Sequence, residues 1–245
     1  MTLREKINKN FVLQRDDVKS RLLSRSLLWM GLGLAIITLV AFLSATLPVF
    51  QEIMLKIALN QNFMLMSLFN ILLMVGIFMT IRNPRVTLLV PVSLYALFAL
   101  YEGVFVSATL FLNGMQQFAD VLLVMLVPAI IFGVMGMVAY TNVFDFTKLI
   151  PFATFGIFAL MLMSLIMAFV GSGFNQRWLL VLAAGLFIIW IGIDLQLIKN
   201  AEENLETFAL ANEPQALNRL AFMFGLRLFV DFVNLVLILI RLLGR

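Results

Sequence analysis

"RLFVDFVNLVLILIRLLGR" occupies residues 227–245 and decides what kind of protein this is. Read as helix, the stretch is apolar enough to lie in lipid, yet it carries Arg227, Asp231 and Arg241. A charge at mid-bilayer costs from about 2.5 kcal/mol upward, so these residues need a reason to be there. Arg227, Asp231, Asn234 and Arg241 are offset by 4, 7 and 14 residues. At about 100° per residue that keeps all four within a stripe roughly 80° wide and about 21 Å long. An i, i+4 ion pair between Arg227 and Asp231, with Arg241 snorkelling at the helix end, accounts for part of the stripe. Asn234 and the length of the stripe are left over.

The whole chain has the same character. Of its 245 residues 63% are hydrophobic and 12% charged, and mean hydropathy is +1.06. Globular chains run about 45 to 50% apolar, so one soluble core cannot hide this surface, and the composition specifies a polytopic membrane protein. The first 25 residues are polar and basic, and the first apolar run, 26–47, is long enough to span, so it is expected to stay rather than to be cleaved as a signal peptide. With no cysteine and no histidine, the sequence excludes thiolate and Ser-His catalysis, HExxH zinc sites and His-ligated haem.

Seven segments approach the roughly 20 residues that cross the bilayer as helix: 26–47, 63–81, 86–111, 119–140, 148–170, 178–199 and 216–243. The expected organisation is all-α: a cytosolic basic tail at 1–25 and a single seven-helix transmembrane domain at 26–245. The connections "RNPR" (82–85), "NGMQQ" (113–117), "TNVFDFT" (141–147) and "GSGFNQ" (171–176) leave no room for a soluble domain. No internal repeat is visible. Seven lysines and arginines precede residue 26, and Arg82 and Arg85 follow the second span, which places the N-terminus in the cytosol and Arg245 outside. The net charge of +4 needs no nucleic acid, since a basic tail beside the first span serves topology and touches anionic lipid.

Lys148, Arg177, Lys199 and Arg219 lie at span ends, where snorkelling accounts for them. Asp194, in "LFIIWIGIDLQLIKN", is the second carboxylate deep in apolar sequence, about 8 Å inside the cytosolic end of the sixth span. The seventh span returns from that side, so Asp194 and Asp231 can meet across adjacent helices. Their depths match imperfectly: either the last helix projects beyond the membrane, or residues 205–222 lie partly along the interface. Two such carboxyls in a poorly hydrated site cannot both ionise cheaply; they share a proton and titrate as a unit, which supplies a pH response without histidine. Calcium selects oxygen ligands, and Asp194, Asp231, Asn234 and backbone carbonyls are the ones available. Glu102, on the outer half of the third span, and Asp120, near the start of the fourth, are candidates for an acidic outer mouth. For Asp120 a plain helix N-terminal acid is the simpler reading.

"IDLQLIKN" (193–200) followed by "VDFVNLVLILIRLLG" (230–244) resembles the Bax inhibitor-1 family, the transmembrane Bax inhibitor motif proteins. Asp194, Asp231, Phe232, Asn234, Leu235, Arg241 and Gly244 fall on the pattern, and "YALFALYEGVFVSATL" is similar to the family's aromatic-rich third helix. The resemblance implies a central seventh helix wrapped by the other six in two three-helix layers. It also implies a pH-sensitive calcium leak channel whose sensor is the Asp194–Asp231 pair and whose latch is Arg82. In place of the acidic residue expected about three turns before that arginine, this chain has Asn70 and Ile71. Arg227 and Arg241, on the helix of Asp231 itself, are the alternative counter-charges. The compact form points to a bacterial inner membrane, and the resemblance implies no cofactor beyond the calcium ion and a protein that is not an enzyme. Intramembrane aspartyl proteases also use two aspartates, but resemble YD and GxGD; "GID" at 192–194 does not carry that pattern and neither aspartate follows tyrosine. A retinal-type sensor would need a buried lysine in the last helix, and none is present. A non-conducting membrane regulator that acts through protein partners remains the alternative to a channel.

Overall fold

The computed structural model describes the backbone of residues 3–59, 63–115, 118–141, 143–170, 176–204 and 214–244. Side chains are described from Leu22 onward, except at 45, 54–55, 57–67, 118, 164–165, 167–170, 176 and 214. The basic side chains before Leu22, parts of the connections at 113–117 and 171–176, residues 205–213 and Arg245 therefore lie outside the described residues.

Among the described residues eight α-helices follow one another: α1 (Leu3–Thr46), α2 (Pro48–Leu59), α3 (Phe63–Arg82), α4 (Leu89–Leu112), α5 (Phe118–Tyr140), α6 (Ile150–Val170), α7 (Gln176–Asn204) and α8 (Pro214–Leu243). A short 3-10 turn, Phe146–Leu149, precedes α6. Among the described residues six helices are long and apolar enough to cross a membrane, and the described part of α3, Leu68–Arg82, is a further apolar helix. The protein is an all-helical, multi-pass integral membrane protein.

Elementary constraints explain the boundaries. Pro48 and Pro214 open α2 and α8, where a missing N–H costs nothing and φ is already helical. The end of α4 closes with Met115 N–H donating to Leu110 O (2.9 Å) over Gly114, whose φ of +70° is a conformation glycine adopts without strain. Hydroxyls inside the spans bond back one turn, as Ser26 does to Leu22 O and Ser107 to Gly103 O, so they present no unsatisfied donor to lipid.

Two elements differ from the expectation drawn from hydropathy. The basic tail, to which hydropathy assigns no structure, has a backbone that is helical from Leu3 and continuous with the first span. The first connection contains α2, twelve residues that pack on α1 and α4 and carry an exposed Glu52–Lys56 pair (2.9 Å).

The last helix is the most enclosed. Of its spanning window 61% is buried, against 11 to 39% for the other five spans, and it packs on α1, α3, α4, α5 and α7. Close approach of α1 depends on Gly225, where an added Cβ would stand 2.6 Å from Ser26 O and from Trp29 Cβ. Small residues at such crossings are how helices associate where lipid offers no hydrophobic driving force. Around that crossing Trp29, Tyr95, Phe222, Phe229 and Phe98 pack edge to face, with centroids 5.1 to 5.8 Å apart. The Tyr95 hydroxyl donates to Trp29 O (2.8 Å), so the aromatic plug leaves no stranded polar group there. At 29 and 30 residues, α7 and α8 are about 44 and 45 Å long. Both exceed the hydrocarbon thickness, and α8 is continuous from Pro214, with no break before residue 222.

Candidate functional site

The antiparallel neighbours α7 and α8 bring Asp194 and Asp231 together. Their carboxyl groups interact side chain to side chain. Asp194 is additionally forked by Arg227, one turn before Asp231: Arg227 Nε donates to Asp194 Oδ2 (3.1 Å) and Nη2 donates to Oδ1. The carboxylate is 4% exposed and the guanidinium 31%, so this is a largely desolvated bidentate pair, the geometry in which arginine binds carboxylate best. Arg227 thus reaches across to α7, and the local i, i+4 pair with Asp231 is not the arrangement adopted. Asp231 Oδ2 is shut off from solvent and has no hydrogen-bond donor among the described residues.

The charge count follows. Ionised Asp194 and Arg227 cancel, which leaves Asp231 as the uncompensated carboxyl. Two acceptors in contact need a proton between them, and one proton on the pair makes the three groups neutral together. As a calcium cage the cluster is incomplete: Arg227 occupies both Asp194 oxygens, and no group of three or more carboxylates forms among the described residues. A calcium ion at Asp194 and Asp231 must displace the guanidinium.

Of the three candidate counter-charges only Arg227 meets the pair. Arg82 is exposed at the end of α3 and forms no ion pair among the described residues. Arg241 is exposed at the rim of a cavity of about 850 Å³ between α3, α4, α6, α7 and α8. Glu102 and Asn234 line that cavity too, together with Asn70. Asn70 Nδ2 donates to Glu102 Oε1, while Glu102 Oε2 is buried with no partner among the described residues. Glu102 of α4 thus places a carboxylate beside Asn70 of α3. Asp120 lies in the first turn of α5 and is not among the residues that line this cavity.

The sequence reading passed over two polar ties. Arg219 does not simply snorkel: its guanidinium donates to Ile81 O (3.1 Å), Asn83 O (3.0 Å) and Val86 O, and so caps α3 and holds the α3–α4 connection against α8. On the α7 side Glu202 is buried, accepting from Leu23 N–H (2.8 Å) and the Tyr140 hydroxyl (3.1 Å), and Lys199 donates to Tyr140 O (3.2 Å). A signal for Glu202 existed. It continues the 4-3-4 spacing of Ile191, Leu195 and Ile198, all buried, so it belongs to the inward stripe of α7. Arg219 had no such signal, because backbone carbonyls leave no trace in sequence.

Comparison with known proteins agrees with this architecture. A family model described as "Inhibitor of apoptosis-promoting Bax1" matches residues 19–245. A protein of Borreliella burgdorferi (strain ATCC 35210 / DSM 4680 / CIP 102532 / B31), described as an uncharacterized protein, is 30% identical over 112 residues, 45% of this chain. The chain spans 46%, about half, of the length of that curated relative. With the family match extending over both aspartate helices and nearly all of the remaining chain, the protein belongs to the Bax inhibitor-1 family.

Proposed function

We propose that this protein is a pH-sensitive calcium leak channel of a bacterial cell membrane. Its N-terminus is cytosolic, and seven helices, α1 and α3 to α8, cross the bilayer with α8 central and the other six around it in two layers. It is not an enzyme and carries no resident cofactor; calcium is the permeant ion. The observation that supports this reading is the Asp194–Arg227–Asp231 cluster, a titratable link between two neighbouring spans. The cavity lined by Glu102, Asn234 and Arg241 supplies an approach toward it, and Val230 and Phe98 are on its wall.

The mechanism follows from the charge count. With one proton on the pair, the cluster is neutral and α7 and α8 are tied by the fork and by the shared proton. Removing that proton sets two carboxylates side by side against a single guanidinium, which costs several kcal/mol in a dry site unless a cation enters. Adding a second proton discharges Asp194 and frees Arg227, which cannot lose its own charge. Either change loosens the tie, so leak is least where the pair holds one proton and rises on both sides. Loose, multi-site contact with carboxylates and amides suits conduction, because an ion must enter and also leave.

The test is calcium flux from liposomes containing the purified protein, from about pH 6 to about pH 8. Asp231→Asn keeps the shape and places an amide donor opposite Asp194, so it should keep the neutral tie, lower the leak on the alkaline side and flatten its pH dependence there. Folded wild-type protein that passes no calcium anywhere in this range refutes the channel and leaves a non-conducting membrane regulator.

A further inference from the structure

The cavity between α3, α4, α6, α7 and α8 has a composition that calcium transit does not explain. At about 850 Å³ it falls in the size range of small-molecule sites. Its walls are mainly aliphatic and aromatic, with Phe98, Tyr101, Phe105 and Phe187 among them. Glu102 is 5% exposed and keeps one carboxylate oxygen, Oε2, without a donor, while Asn70 satisfies the other. A calcium ion held there would need six to eight oxygens, and beside the one open carboxylate oxygen this cavity adds only the side-chain amide oxygens of Asn70 and Asn234 among hydrocarbon and rings. An N–H donor carrying a positive charge and an apolar body meets the same surroundings well: it completes Glu102 and lies against ring faces that attract cations.

We propose that this cavity binds a lipophilic primary ammonium ion, its N–H donating to Glu102 Oε2 and its hydrocarbon part resting among Phe98, Phe105 and Phe187. Arg241 lies at the exposed rim, where water and salt screen it, and Glu102 lies inside, so the charge that sets selectivity is the carboxylate. The inference does not depend on conduction, since a non-conducting protein with this cavity binds the same ligand.

The experiment is isothermal titration calorimetry without calcium, on the full chain in nanodiscs against empty nanodiscs. The probes are 4-phenylbutylammonium, the neutral 4-phenylbutanol and the anionic 4-phenylbutanoate. Saturable binding of the ammonium, about ten- to a hundredfold tighter than the alcohol, is expected from one charge-assisted hydrogen bond. Glu102→Gln should bring the ammonium to the affinity of the alcohol, and Ala183→Phe, which fills the cavity from α7, should abolish binding of both. No saturable heat above empty nanodiscs, equal affinity for ammonium and alcohol, preference for the anion, or an unaffected Glu102→Gln each overturns the proposal. Should Glu102→Gln fail to fold, the comparison of the three probes on wild type and Ala183→Phe decides alone.

Discussion

Replacing Arg227 by glutamine is the sharpest perturbation of the cluster. The wild-type fork makes two charge-assisted contacts to a carboxylate that is 4% exposed, from a guanidinium that is 31% exposed. Breaking a buried pair by removing one partner typically costs about 3 to 5 kcal/mol. Arg227 keeps some solvent, so the lower end applies, about 3 kcal/mol, or roughly a hundredfold in an equilibrium constant at about 1.4 kcal/mol per decade. If the fork holds α7 to α8 in the closed state, a closed-to-open equilibrium shifts by up to that factor. Calcium flux from liposomes at neutral pH should therefore rise strongly in Arg227→Gln. Arg227→Lys should fall between, because an ammonium keeps the charge and loses the planar fork. Thermal unfolding in the same lipid separates gating from stability, since a folded variant with raised leak supports the link. An Arg227→Gln protein that folds and reproduces the wild-type flux and pH profile refutes the reasoning, and the pair is then an internal strut with no part in gating.

Other consequences can be checked separately. Arg219→Ala strips the donors from three carbonyls at the end of α3 and should cost about 1 to 3 kcal/mol, read as lower thermal stability and faster amide exchange around residues 81–87. Arg82→Ala removes an exposed end residue and should change stability by no more than about 0.5 kcal/mol while leaving the pH of least leak in place. Asp145 caps the 3-10 turn, and its carboxyl is held below the usual range first by the Thr147 hydroxyl, then by the Thr147 N–H and by Lys148. A depressed carboxylate contributes stability that is complete above its unfolded pKa, about 3.9, and is lost as pH falls through the lower folded value. The difference in melting temperature between wild type and Asp145→Asn should accordingly be constant at neutral pH and shrink only in strong acid.

The spans were legible because lipid imposes length and apolarity on every helix: 119–140 and 148–170 are observed as Phe118–Tyr140 and Ile150–Val170. The meeting of Asp194 with Asp231 was legible too, since consecutive spans run antiparallel and the last one returns from the side on which Asp194 lies. The partner of Arg227 was not. Asp231 lies one turn away on the same helix and satisfies the i, i+4 rule, so the choice of Asp194 rests on which face of α8 turns toward α7, a tertiary fact. Helix α2 was hidden by its mixture of polar and apolar residues, too short to register as a span.

The crossing at Gly225 makes α8 a lever. There α8 is pressed against the backbone of α1, so it can pivot but hardly slide. Arg227 is two residues from that fulcrum, about 3 Å along the axis, while Arg241 is sixteen residues away, about 24 Å. A tilt of about 5° moves the Arg227 level by only about 0.3 Å and swings the Arg241 end by about 2 Å. On the proposed gating, a displacement beside the pivot is geared up eightfold at the far rim, so a cluster that barely moves would still change the width of the cavity mouth at Arg241.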